Sequence, residues 1–384
     1  MTLQATVDLL DRLIAYPTIS SDSNLEMIID LSGRLQNLGA RTHIFVDEAG
    51  SKASLFGTLG PDIPGGILLS GHSDVVPVTD QDWASDPFKI RKAEGRLYGR
   101  GTCDMKGFIA AAVVMAERYA ALPLTRPVHF AFTHDEETGC LGAQALIPEL
   151  KRLGIRPDIA IIGEPTEMRV IEGHKGCCEY TTRFEGLEGH GSSPDLGVNA
   201  AEYAVRYVAR LMALRADLRA RVPETSRFDP PYTTINIGRV QGGHAHNVIV
   251  GKAEVDWEFR PVQTSDFQFV KDVMEQFVEQ ELLPQMRAIY PKADISIETL
   301  GEVTGLEPMA ENAARDLVAG LLGANAADVV PFGTEAGLFQ QMGMDVIVCG
   351  PGSIAQAHKP DEFVSLDQLE ACLGMLDRLG QKLV

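Results

Sequence analysis

Residues 67–74 read ILLSGHSD, 128–139 read VHFAFTHDEETG, and 159–166 read IAIIGEPT. Each is a short apolar run that breaks into Gly, His, Asp or Glu. A fourth run, Val346 to Val348, leads into CGPG. Between them lie helical stretches, clearest from Met105 to Leu122, where Ala, Val and Met crowd together. Strands alternating with helices imply an α/β fold, a mostly parallel sheet with helices on both faces. Ligands of such sheets bind beyond the carboxyl ends of the strands, where these polar residues fall.

The middle of the chain has another rhythm. A strand-like Cys177 to Phe184 precedes a helix around Asn199 to Leu214. Strands near Thr233 to Val240 and Ala253 to Arg260 follow, then a long helix from about Phe267, then Ile295 to Thr299. The order βαββαβ is the ferredoxin-like α+β pattern. It predicts a small domain over 177–302, inserted into a larger one formed by 1–176 and 303–384. Two domains also suit a length of 384 residues.

Composition narrows the function classes. With 34 basic and 53 acidic residues the formal charge is −19. Nucleic acid needs basic patches that displace counterions, and anionic membranes also favour basic surfaces, so neither is an expected partner. No run of about 18 apolar residues offers a membrane span. MTLQATVDLLDRLIAYPTIS has no basic start and no unbroken apolar core, so it does not read as a signal peptide. The six cysteines have no framework spacing, which fits reduced thiols in a cytoplasmic protein. GRGTCD has Asp104 where a dinucleotide fingerprint needs its third Gly, and no phosphate-loop or GxSxG sequence occurs.

Five possible metal ligands stand out: His72, Asp104, Glu137, Glu164 and His358. The first four are 32, 33 and 27 residues apart, about one strand-helix unit each. Successive units can therefore bring them to one rim of a sheet. His358 follows 194 residues after Glu164, a gap that the inserted domain explains. Two imidazoles and three carboxylates are too few for two closed sites, but enough for two ions sharing a carboxylate and a water. Nitrogen and oxygen ligands without thiolate suit zinc, or cobalt or manganese in its place. Asp74, two residues after His72, is placed to orient that imidazole through its other nitrogen. The adjacent carboxylates of Asp135 to Glu137 could supply both a ligand and a general base.

GHSDVVP, GRGTCDMKG, THDEETG, GEPT, EGHGSSP and QAHKPDE occur in this order. Together they resemble the di-zinc aminoacylase and carboxypeptidase metallohydrolases over nearly the whole chain. GRGTCDMKGF, GTEAG and GPGSIAQAHKPDEF are most similar to the branch of that family that deacetylates acetylornithine. The resemblance implies two zinc ions per subunit and a small N-acyl amino acid as substrate. It implies that Asp104 bridges the ions, with His72 and Glu164 on one and Glu137 and His358 on the other. Glu136 would be the general base and Asp74 the partner of His72. The inserted domain would serve as a lid and make a homodimer, in which His190 reaches the neighbouring active site. Asn247 and Arg260 match positions used around the substrate, and Arg260 suits a carboxylate clamp. Glu335 is the candidate partner of a cationic side-chain amine.

Rival functions remain within the family: a desuccinylase, an aminoacylase or a dipeptidase. A non-catalytic relative should have lost the base or a ligand, and here Glu136 and all five ligand candidates are present. His244 and His246, in GGHAHNV, read as exposed turn residues, and Cys103, Cys177 and Cys178 as buried small hydrophobes. His174 and Lys175 fall between the two expected domains.

Overall fold

A computed structural model describes residues 2–384. The chain opens with helices α1 (Thr2–Ile14) and α2 (Leu25–Asn37). Strands β1 (Arg41–Val46), β2 (Ala53–Leu59) and β3 (Ile67–His72) follow, then a small hairpin, β4 (Arg91–Ala93) and β5 (Arg96–Tyr98). Next come α3 (Lys106–Ala120), β6 (Val128–Thr133), α4 (Leu141–Arg152), β7 (Ile159–Pro165) and β8 (Ile171–His174).

The second stretch runs β9 (Cys177–Glu185), β10 (Gly189–His190), α5 (Ala200–Ala220), β11 (Thr234–Gly242), β12 (Val248–Ile249) and β13 (Lys252–Arg260). Helices α6 (Thr264–Phe277) and α7 (Leu283–Ile289) lead to β14 (Asp294–Val303). The chain then continues through α8 (Ala313–Leu322), β15 (Asp328–Val330), α9 (Ala336–Gln341), β16 (Asp345–Gly350), β17 (Phe363–Ser365) and α10 (Leu366–Gly380).

The larger compact unit holds residues 1–173, 308–329 and 334–384. Its sheet has the order β1-β2-β6-β3-β7-β16-β8-β15. The four central strands, β6, β3, β7 and β16, run parallel, whereas β1–β2, β2–β6 and β16–β8 are antiparallel pairs. Every residue of β3, β6 and β7 is buried, because helices cover both faces and leave no position for alternation. α3 is buried on nearly every side and packs against α1, α10 and β3. Gly163 permits this closeness, since a Cβ there would lie 2.0 Å from the Phe108 ring.

The smaller unit holds residues 174–307 and 330–333. It begins before the expected 177 and ends after the expected 302, because the connecting segments are tied into it. His174 pairs with Leu306, and buried Lys175 donates to the carbonyls of Pro230 at 2.7 Å and Tyr232 at 3.3 Å. Its antiparallel sheet has the order β11-β13-β9-β14, which is the ferredoxin-like arrangement. β13 alternates buried and half-buried residues, as a sheet covered on one face requires. α5 buries Ala200, Ala204, Tyr207, Leu211, Leu214 and Leu218, a stripe at helical spacing, and Asn199 caps its first turn. No helix among the described residues is long and apolar enough to cross a membrane.

Candidate metal centre

The parallel strands deliver their polar ends to one rim of the larger unit. His72 ends β3, Glu164 lies near the end of β7, and Asp135 to Glu137 form the turn after β6. Asp104 stands just before α3, and His358 lies in the loop between β16 and β17. Asp104 is the centre of the group. Its Oδ1 is 3.1 Å from His72 Nε2, and its Oδ2 is 3.4 Å from His358 Nε2. His72 Nε2 also faces Glu164 at 3.8 Å, and His358 Nε2 faces Glu137 at 3.1 Å. Two imidazole-carboxylate pairs therefore flank one carboxylate, each on its own oxygen.

Donor atoms of His72, Asp104 and Glu137 all lie within 4.8 Å of one another, and so do those of His72, Glu136 and Glu164. Among the described residues, Asp104, Glu136, Glu137 and Glu164 have no Lys or Arg ion-pair partner. Glu164 Oε1 is buried without a hydrogen-bond partner. Burial, and then neighbouring carboxylates, push Glu136, Glu137 and Glu164 up. Burial opposes charge on Asp104 too, yet His358 and His72 hold its carboxyl below the ordinary range. His358 is raised to about 10 by Asp104 and Glu137. His72 is raised as well: burial works against its charge, but Asp104 and Asp74 prevail. Protons on imidazole thus supply positive charge that this carboxylate cluster lacks. Divalent cations bind at the expense of such protons, and an all-nitrogen-and-oxygen donor set fits them.

Asp74 reaches His72 in two ways. Its main-chain carbonyl is 2.9 Å from His72 Nδ1, closer than its carboxylate Oδ1 at 3.5 Å. The carboxylate has other work. It accepts from the Ser20 hydroxyl at 2.7 Å and from the amides of Glu136 at 3.1 Å and Glu137 at 3.3 Å. One residue therefore fixes the imidazole through its main-chain carbonyl and, through its carboxylate, the turn that carries Glu136. Lys52 braces the same turn through Asp135, whose backbone is left-handed at φ 53°. The Cys140 thiol lies 3.5 Å from Glu136 Oε1.

Three of the remaining residues belong to the smaller unit. His190 is exposed on β10, with Nδ1 2.7 Å from the Ser192 hydroxyl. Its neighbour Gly191 donates to the Asn247 carbonyl at 2.8 Å, so His190 and Asn247 share one corner. Arg260 ends β13, half-buried and paired with Glu258 at 2.9 Å. His244 and His246 are exposed, and all six cysteines are free.

Glu335 requires a correction. It is 1% exposed, and its two oxygens accept hydroxyls from Ser70 at 2.6 Å and Thr133 at 2.7 Å. Those hydroxyls stand on β3 and β6, so Glu335 ties the two strands together from a buried position. Two residues with no role in the sequence reading prove central to the rim: Arg100 and Glu362. They sit inside quoted motifs, GRGTCD and HKPDE. A carboxylate four residues beyond His358 was the available signal.

The sequence matches the profile of Peptidase family M20/M25/M40 over residues 68–382. The chain belongs to this family. Within the M20 group, the acetylornithine deacetylase of Proteus mirabilis (strain HI4320) is 36% identical over 385 residues, spanning 98% of this chain and 96% of its own. The solved M20 family metallo-carboxypeptidase Sso-CP2 of Sulfolobus solfataricus shares the fold at a TM-score of 0.73 and 16% identity, covering 98% of each chain. The Bacillus subtilis YXEP protein, a dinuclear metal binding M20 peptidase, superposes at 0.65 with 17% identity, covering 100% of this chain and 98% of its own. The motif resemblance to acetylornithine deacetylases thus extends over nearly the whole chain.

Proposed function

We propose that this protein is a two-metal amide hydrolase that releases acetate and ornithine from N2-acetylornithine, a step of arginine synthesis in the cytoplasm. The observation that carries it is the division of the rim by Asp104, with an imidazole and a further carboxylate on each side. His72 and Glu164 would hold one ion, Glu137 and His358 the other, and Asp104 both. Zinc held there, or cobalt or manganese, would supply the Lewis acidity that polarises an amide carbonyl and acidifies a water. The M20 relatives support this reading: one is named a dinuclear metal binding peptidase, another an acetylornithine deacetylase.

Glu136 is the base. A carboxylate oxygen of Glu136 lies within 4.8 Å of donor atoms of His72 and Glu164, and Asp74 holds the residue in place through its main-chain amide. It would accept the water's proton and hand it to the departing nitrogen. In a homodimer formed by the smaller unit, His190 of one subunit would donate to the developing oxyanion in the other. Arg260 would clamp the substrate carboxylate, with Asn247 beside it.

The test is released primary amine from N-acetylornithine, N-succinyl-diaminopimelate and N-acetylmethionine. Zinc- or cobalt-loaded protein is compared with chelated protein and with Glu136→Ala. Metal-dependent release from N-acetylornithine alone is the expected result. Release mainly from another substrate would overturn the substrate assignment, and no release from any would overturn the activity.

A further inference from the structure

Asp104 and His358 come from loops far apart in the chain, and one buried side chain connects them. Glu362 is 1% exposed. Its Oε1 accepts the main-chain amides of Cys103 at 2.8 Å and Asp104 at 3.1 Å. Its Oε2 accepts the amide of Gly101 at 3.0 Å and Arg100 Nη1 at 2.7 Å. Three amides of one turn thus converge on a single carboxylate, and that turn ends in Asp104. Residues 99–105 lie in no helix or strand, so no regular ladder holds them otherwise.

The other end of the connection runs through Arg100, also 1% exposed. Its Nη2 donates to Gln81 Oε1 at 2.7 Å, and Gln81 Nε2 donates to the main-chain carbonyl of His358 at 3.1 Å. Trp83 completes the enclosure. Its indole nitrogen donates to Gln81 Oε1 at 3.1 Å, and its ring lies 5.1 Å from the guanidinium carbon of Arg100. His358 has a left-handed backbone at φ 61°, which a residue with a Cβ adopts only under restraint. Glu362, Arg100, Gln81 and His358 therefore form a chain of contacts, which Asp104 closes with its amide on Glu362 and its Oδ2 3.4 Å from His358 Nε2.

We propose that Glu362 is a positioning residue for the cation site, holding Asp104 and His358 in register through Arg100 and Gln81. The inference rests on the two-metal reading above. A carboxylate shared by two ions must hold both oxygens to within roughly 0.5 Å of the productive position. Glu362 does this from behind, by gripping the main chain on which Asp104 stands. A merely structural pin would set folding stability and leave the affinity of the folded protein for cations unchanged.

The experiment is a cobalt titration of chelated protein, read by calorimetry and by visible absorption, with a melting curve of each chelated sample. Wild type is compared with Glu362→Gln, Gln81→Ala and Leu379→Ala. In Glu362→Gln the carboxamide NH2, a donor, would replace one oxygen that accepts main-chain amides. Leu379, buried in α10, serves as the stability control. Glu362→Gln is expected to weaken at least one cobalt by about 10-fold or more and to alter the absorption band. Gln81→Ala, which alters a half-buried loop residue, should keep the fold and weaken binding about 5-fold, the worth of one hydrogen bond. Leu379→Ala should lower the melting temperature and leave affinity alone. Wild-type affinity in both Glu362→Gln and Gln81→Ala would overturn the inference, and Gln81→Ala alone decides if Glu362→Gln does not fold. Wild type that takes up no cobalt would instead overturn the two-metal reading and this inference with it.

Discussion

Two buried charge clusters lie side by side at the rim of the larger unit, and they are completed in different ways. Around the Glu362 carboxylate the protein supplies a guanidinium at 2.7 Å and three main-chain amides, with Arg100 Nε alone left without a hydrogen bond. Around Asp104 it supplies carboxylates in excess of cations, and leaves Glu164 Oε1 without a hydrogen bond. A buried carboxylate without compensation costs several kcal/mol, so folds do not keep such groups idle. The closed cluster takes its countercharge from within the protein. The open one gathers His, Asp and Glu groups that could hold a cation.

The contrast can be broken most forcefully at Glu136, the member of the open cluster proposed to hold no ion. Glu136→Gln should lower kcat by about 1,000-fold while leaving cobalt stoichiometry and KM near wild type. Loss of a cobalt instead would make Glu136 a ligand and erase its separate role. Next comes the closed cluster. Arg100→Met leaves Glu362 with its three amides but no countercharge, and should cost about 3–5 kcal/mol of stability in chelated protein, measured by denaturant unfolding. A neutral outcome would mean that the amides alone satisfy Glu362.

His174, in the smaller unit, supplies a buried group that belongs to neither cluster. Burial lowers its imidazole to about 4. The unfolded chain takes up that proton below about 6.5, the folded chain only below about 4. Its contribution is therefore fully present above pH 6.5 and is lost as pH falls through this window, by about 2 kcal/mol at pH 5. Unfolding of His174→Gln should accordingly depend less on pH between 7 and 5 than wild type does. Equal slopes would show that His174 does not govern acid sensitivity.

The smallest effect on stability is expected at Glu164. Burial pushes this carboxyl up, and Gln is its neutral isostere. Glu164→Gln should shift the stability of chelated protein by less than about 1 kcal/mol, a surface-like value for a buried site. The same change should weaken cobalt binding by at least about 10-fold. A large loss of stability without cation would place Glu164 in the scaffold with Glu362.

Much of this was legible along the chain. Apolar runs ending in polar residues mark strands whose carboxyl ends carry chemistry, and intervals of 32, 33 and 27 residues match one strand-helix unit each. The alternation of β9 and β13 and the βαββαβ order mark the second sheet, because a two-residue period survives wherever one face stays wet. Periodicity is a local property, and local sequence determines it. Direction at the sheet edges is another matter. Nothing in VHFAFT or ASLFGTL distinguishes parallel from antiparallel neighbours, and β2 and β6 pair antiparallel only because of how the chain returns.

Side-chain duty was decided by tertiary structure alone. Glu335 and Glu136 are both carboxylates in Gly- and Thr-containing turns, yet Glu335 is taken up by Ser70 and Thr133, contacts 265 and 202 residues away in the chain. Asp74 serves two elements at once, which spacing from His72 alone does not reveal. Arg100 and Glu362 are 262 residues apart and meet at 2.7 Å. Local sequence sufficed for which chemical groups the chain carries and which strands present them. Whether each charge is satisfied within the protein or left to be met by a cation depends on partners distant in sequence, and burial in three dimensions sets the cost of leaving it unmet.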